Sequence, residues 1–181
     1  VRGAPTIQET LPVLTPAGKL IAVLSSEMNL LEYERLRKKN GIYRDAILRL
    51  QQQALAGKLA GADSISHLGE HYGTLVIDSS ARILYMSSLA EQLYRKLGYT
   101  SSLLGRKLSE LNSNEHVCFK AMEREQCLEQ SVQEQQLMWI RRVIPLPAGQ
   151  DQPLLARFFT REKKMANAIV LIEDITDEYK K

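Results

Sequence analysis

The sequence predicts an α+β fold built on a five-stranded antiparallel sheet with flanking helices, and three observations predict it. Two short β-rich runs, 74–78 and 82–86, are joined by Ser79-Ser80-Ala81, the pattern of a hairpin. Helix signals occupy the middle of the chain. Three more strand-like runs then follow, at 128–135, 137–145 and 166–173.

Taken in order, the first element is an upstream hairpin. Leu11-Pro12-Val13-Leu14 and Leu20-Ile21-Ala22-Val23-Leu24 flank Thr15-Pro16-Ala17-Gly18, whose Pro and Gly suit a tight turn. Two strands cannot bury one another's apolar face, so this hairpin must pack on something else. From 30 to 59 good helix formers carry a heptad-like spacing. Leu36, Tyr43 and Leu50 fall seven apart, and Ile47 and Ala54 form the interleaved series. That spacing suits a dimerising helix and equally a helix laid on its own domain, with Gly41 weakening its first half. The cluster Arg35, Arg37, Lys38, Lys39 lies here and is expected to form a solvated face. Residues 57–66, with two glycines and two serines, read as a linker.

Downstream of the 74–86 hairpin, a helix is expected to start at Ser88 as N-cap and to stop at Gly98. A turn and short helix follow at 103–111, then a helix over 114–127 with Val117, Ala121 and Met122 on one side. The loop 147–153 is rich in turn residues. After the last strand, Asp174 or Thr176 is placed to cap a new charged helix.

Of the 181 residues 44% are hydrophobic and 25% charged, which excludes a disordered tail. The net charge is +3, and residues 1–66 carry all of it, since 67–181 hold equal numbers of acidic and basic side chains. Nothing in that balance points to nucleic acid. The two cysteines, Cys118 and Cys127, are too few for a disulfide framework and suit a reducing, cytoplasmic setting. No membrane span or signal peptide is expected. Position 1 is Val rather than Met, so the chain is expected to be a piece of something longer.

The candidate chemistry is sparse. His67, Glu70 and His71 match an inverted zinc-peptidase string, but Gly69 interrupts it and a strand begins at once, so the two histidines would not share a helical face. His116 stands beside Glu115 near a helix start and is expected at the surface rather than on a haem. Cys118 lies in Val-Cys-Phe-Lys, unlike a flavin-photosensor motif. Neither a metal nor a cofactor is expected. More informative is the strand 137–145: alternation sends Met138, Ile140, Arg142 and Ile144 to one face and Trp139, Arg141 and Val143 to the other. Both faces are largely apolar, both should be covered, and each holds one arginine. The inward one would clamp a carboxylate ligand or pair with a nearby Glu, and pairing is the commoner use.

Residues 68–179 resemble a PAS domain. The resemblance rests on Gly73-Thr-Leu-Val-Ile-Asp, Ile83-Leu-Tyr-Met-Ser, Leu104-Gly105 ahead of Leu108, Ile144-Pro145-Leu146, and above all the ending Ile169-Val-Leu-Ile-Glu-Asp-Ile-Thr-Asp177. Upstream, Pro12-Val13-Leu14 through Leu24, then Asn29-Leu30 and a helix with Tyr43, looks like the C-terminal part of a GAF-like domain. GAF-like followed by PAS resembles the sensor region of bacterial histidine kinases that signal to RNA-binding antitermination response regulators. The implied organisation is 1–59 as hairpin and long helix, 60–67 as linker, 68–176 as PAS-like domain and 177–181 as the start of a signalling helix.

The resemblance implies a sensory and dimerisation region without enzymatic activity, since the chain contains no phosphoacceptor motif and no ATP lid. Its expected partners are a second copy through Leu36, Tyr43, Ile47 and Leu50, a kinase module in cis, a response regulator through it, and an unidentified small molecule. No nucleic acid or membrane is expected. Ligand contacts are expected among Tyr94, Met122, Trp139 and the arginine pair Arg141 and Arg142, and the signalling joint at Asp174 and Thr176. The alternative from another class is an adaptor with a filled core that binds protein and no ligand.

Overall fold

The structure, a computed structural model, describes residues 6–14, 20–29, 41–67, 72–111, 113–146 and 165–179, the first two segments by backbone alone. Strands β1 (Thr6–Leu14) and β2 (Leu20–Asn29) pair antiparallel as a two-stranded sheet. Leu36, the basic cluster 35–39 and the loop 147–153 lie outside the described residues.

Helix α1 runs Gly41–Leu55. Residues 30–40 of the helix expected over 30–59 lie outside the described residues. The five-stranded sheet comprises β3 (Tyr72–Ile77), β4 (Ile83–Met86), β5 (Leu128–Glu134), β6 (Leu137–Pro145) and β7 (Ala168–Asp174). Its order is β4-β3-β7-β6-β5, antiparallel throughout. The last strand therefore lies in the middle, and its Ala-Ile-Val-Leu-Ile run is buried on both faces.

One face is covered by α2 (Ser88–Lys96) and α3 (His116–Arg124). There Leu75, Ile77, Leu93, Tyr94, Val117, Ala121, Trp139, Val143, Val170 and Ile172 form the main core. Tyr94 meets Trp139 edge-on at 5.6 Å between ring centres. Helix α2 can approach β3 closely because residue 73 is glycine: a Cβ there would lie 2.6 Å from the Cα of Ala90. The cap is Ser87, one residue before the expected Ser88. Its Oγ accepts from the amides of both Ala90 and Thr74, fastening the helix start to β3.

The opposite face carries α1. Ala46 is fully buried there with Val76, Tyr85, Leu146, Ile169 and Leu171, and Tyr43, Ile47 and Leu50 are half-buried against them. Tyr43 stacks on Tyr85 at 4.8 Å. The heptad face expected to form a dimer seam is thus laid on the chain's own sheet, wherever its residues are described. Arg49 pins the helix by donating to the carbonyls of Leu146 and Ala166. The expected linker is also more than a spacer: 60–67 contains a 3-10 turn at Ala62–Ser64 and lies against the start of β5, the Cys127 amide donating to the Ala60 carbonyl at 2.8 Å. Gly61, at φ +76°, is required for that contact, since a Cβ would come 2.7 Å from the Cys127 carbonyl oxygen.

Candidate functional site

Strand β6 places two arginines back to back. Register and alternation turn Arg141 toward the helices and Arg142 toward α1's side, and both are almost fully buried. An arginine cannot lose its proton in a protein, so each must bring anions inside with it.

Arg141 is held from two sides. Its Nη1 donates to Glu134 Oε1 at 2.8 Å and to the Asn114 carbonyl, and its Nη2 donates to Glu115 Oε1 at 3.0 Å. Glu115 also accepts from the Tyr94 hydroxyl at 2.6 Å, the Ser113 hydroxyl at 2.7 Å and the Cys118 thiol. The guanidinium carbon stands 5.3 Å from the Trp139 ring centre. Burial alone would lower the pKa of Arg141, but Glu115, Tyr94 and Glu134 more than reverse this and raise it above the ordinary value. Burial pushes the Tyr94 hydroxyl and the Cys118 thiol up, and Glu115 adds to both shifts. Both groups stay protonated and act as donors, and Cys118 lacks the thiolate character of a nucleophile.

Arg142 is held by three separate elements. Nε donates to Glu129 of β5 at 2.9 Å and Nη1 to Glu173 of β7 at 2.7 Å. Nη2 reaches the Ser66 hydroxyl at 2.8 Å and the His67 carbonyl at 3.1 Å, both on the segment before β3. Burial tends to raise the Glu129 carboxyl, but hydrogen bonds from the Ser66 hydroxyl and amide, with Arg142, outweigh it and hold it below the usual carboxylate range.

At the end of β7 the chain turns into helix α4, described over Thr176–Tyr179. Asp174 Oδ1 accepts from the amide and the hydroxyl of Thr176, and Oδ2 accepts from Lys96 at the end of α2 at 2.6 Å. Asp174 is the cap. Thr176 does something else: its Oγ1 accepts from the Met138 amide at 2.9 Å, and the Ile175 amide donates to the Met138 carbonyl. The helix start is thereby tied to the first residues of β6. Burial tends to raise the Asp174 carboxyl, but Lys96 and Thr176 outweigh it and lower it.

The structure brings Tyr94, Trp139 and Arg141 together on the helix side, with Met122 packed against that core, and it places Arg142 on the other face, away from them. Between α3 and β6 the interior holds the Arg141 cluster. A small recess of about 90 Å³ lies beside α2, lined by Glu91, Tyr94, Arg95, Tyr99 and Ser102 among others. His116 is exposed, and so is His67. Glu70 and His71 lie outside the described residues. Among the described residues no group of three His, Cys, Asp or Glu side chains is placed to hold a metal, and no helix is long and apolar enough to cross a membrane. Sequence reasoning missed Glu115, Glu129, Glu134 and Glu173. Alternation along β5 puts Glu134 on the same face as Val132, which was a usable signal; the pairing of Glu129 with Arg142 needs the strand register.

No family model matches the sequence, and no characterised protein matches it. Its fold is similar to the sensor region of a sensor histidine kinase, with a TM-score of 0.57 and 19% identity, over 95% of this chain and 65% of that one. At that identity the likeness establishes the fold: an α+β, five-stranded antiparallel sheet with flanking helices, consistent with a PAS-like domain. The chain spans less than two thirds of that neighbour's length. A domain of an HTR-like protein from Haloarcula marismortui (TM-score 0.40, 14% identity, 59% of this chain and all of that one) and the E. coli DhaR(N)–DhaL complex (0.36, 15%, 93% and 55%) are too loosely similar to bear on it.

Proposed function

We propose that this chain is the sensory and dimerisation region of a two-component histidine kinase, in which residues 68–176 form a PAS domain and 1–59 the C-terminal part of a GAF-like domain. It relays a signal by conformational change to a kinase module in cis, and through it to a response regulator of the RNA-binding antitermination class. The chain itself performs no phosphotransfer, and its setting is the cytoplasm. The observation that carries this reading is the joint at the end of β7. Asp174 and Thr176 tie the first turn of α4 to α2 through Lys96 and to β6 through Met138, so a shift of either element changes how the exit helix starts.

The test is Thr176→Ala in a full-length kinase. Losing such a contact costs about 1 kcal/mol, which lowers Tm by only a few degrees but moves a two-state equilibrium several-fold. Basal or stimulated autophosphorylation should therefore change while the domain stays folded. Unchanged output would reduce the joint to an ordinary helix start. Dimer contacts belong on the solvent side of α1, where Leu48 and Leu55 are exposed seven residues apart, because Tyr43, Ile47 and Leu50 are committed to the sheet.

A second reading, a PAS adaptor that binds protein without a ligand, is favoured by the filled interior around Arg141. The ligand reading is favoured by two buried donors on that same face, Trp139 Nε1 and Arg141 Nε, that find no partner among the described residues. Native mass spectrometry of the purified chain separates them: a retained small molecule supports the first, an empty chain the second.

A further inference from the structure

We propose that Arg142 is a latch that couples the segment 60–67 to the exit joint, so that displacement of α1 on the outer face of the sheet reaches α4 through one side chain. The proposal concerns where motion enters the domain and holds whether or not a kinase follows.

Three observations converge on it. Residues 60–67, between α1 and β3 in the chain, form a strap against β5, held by the Ala60 carbonyl, the tight approach of Gly61 and the Ser66 amide and hydroxyl on Glu129. Arg142 lies beneath that strap, its side chain 2% exposed, and spends each nitrogen on a different element: β5, β7 and the strap. Its partner on β7, Glu173, is the residue before Asp174, whose carboxylate caps α4. Lifting Ser66 and His67 takes away two acceptors from Nη2. The guanidinium is planar and rigid, so re-aiming Nη2 must also re-aim Nη1 and its bond to Glu173. Arg49, donating to the carbonyls of Leu146 and Ala166, anchors α1 near the opposite ends of β6 and β7. A helix pinned near its middle by Arg49 and strapped beyond its C-terminal end transmits a tilt as tension in the strap.

The experiment is amide hydrogen exchange on the 181-residue chain, comparing wild type, Ser66→Ala, Glu173→Gln and the double variant. Both substitutions are small, and amides in the centre of β3 report whether the fold is intact. Ser66→Ala should speed exchange of the Ser64, Ile65 and Ser66 amides by about five-fold, the worth of one hydrogen bond, and should also speed the Ile175 and Thr176 amides more than 100 residues downstream. In the Glu173→Gln background that remote effect of Ser66→Ala should disappear, because the shared element is already released. Acceleration confined to the strap overturns the proposal, as does a remote effect that persists undiminished in the Glu173→Gln background. No change anywhere, or an equal acceleration at β3, overturns it as well.

Discussion

The two faces of β6 solve one problem in opposite ways. On each, a buried arginine meets two glutamates, yet the Arg141 set is closed and the Arg142 set is open. Around Arg141 both carboxylates belong to the domain's own interior, Glu115 and Glu134 being 2% and 7% exposed at the side chain. Around Arg142 the carboxylates of Glu129 and Glu173 reach 22% and 15%, and one bonding direction is given to a segment outside the sheet. The charges are alike but the consequences differ. A closed set has nowhere to go and locks the helices to the sheet, whereas an open set can exchange a protein partner for water at little cost.

The largest test of that contrast is Arg141→Ala against Arg142→Ala. The first leaves two carboxylates buried without their cation and should cost about 3–5 kcal/mol, lowering Tm by more than about 10 °C in calorimetry. The second lets Glu129 and Glu173 hydrate and should cost about 1–3 kcal/mol. Equal losses would erase the distinction between lock and latch. A smaller effect sharpens the closed side: Tyr94→Phe removes one donor from Glu115, which retains Ser113 and Arg141, and should lower stability by about 1.5 kcal/mol in urea unfolding with an unchanged m-value.

The smallest effect is local and acid-dependent. Because the Glu129 carboxyl is held below its ordinary value in the folded chain, its stabilisation is complete above the unfolded value of about 4.3 and is lost as pH falls through the lower native value. Exchange of the Ser66 amide, corrected for its intrinsic rate, should therefore accelerate from neutral pH toward about pH 3 before the β3 amides do. Simultaneous acceleration would mean that the strap is part of the core.

Strands β3, β6 and β7 were legible because burial on both faces leaves long apolar runs, whereas the more polar β5 shows only alternation. Alternation along 137–145 divided Arg141 from Arg142 correctly but did not say which faced the helices. That depends on how β6 registers with β5 and β7, a tertiary property. The Ser87 cap was missed by one residue because Ser87 and Ser88 are locally equivalent, and only the Thr74 amide, thirteen residues earlier, tells them apart. The heptad face was read correctly as apolar; that it meets the sheet is decided by Tyr85, Ile169 and Leu171, far away in sequence.

The central place of β7 has a consequence for the nascent chain. The hairpin β3–β4 and the pair β5–β6 share no ladder with each other; each is joined only to the strand made last. During synthesis the two halves must wait, with the edges of β3 and β6 unpaired, until Ala168–Asp174 has left the ribosome and slides between them. Pairs such as Leu75 with Val170 close most of the domain's length, so completion of the sheet comes after both local pairs can form. The same insertion that completes the sheet sets the start of α4 in place, so the ties of Asp174 and Thr176 to α2 and β6 cannot form before the rest of the sheet exists.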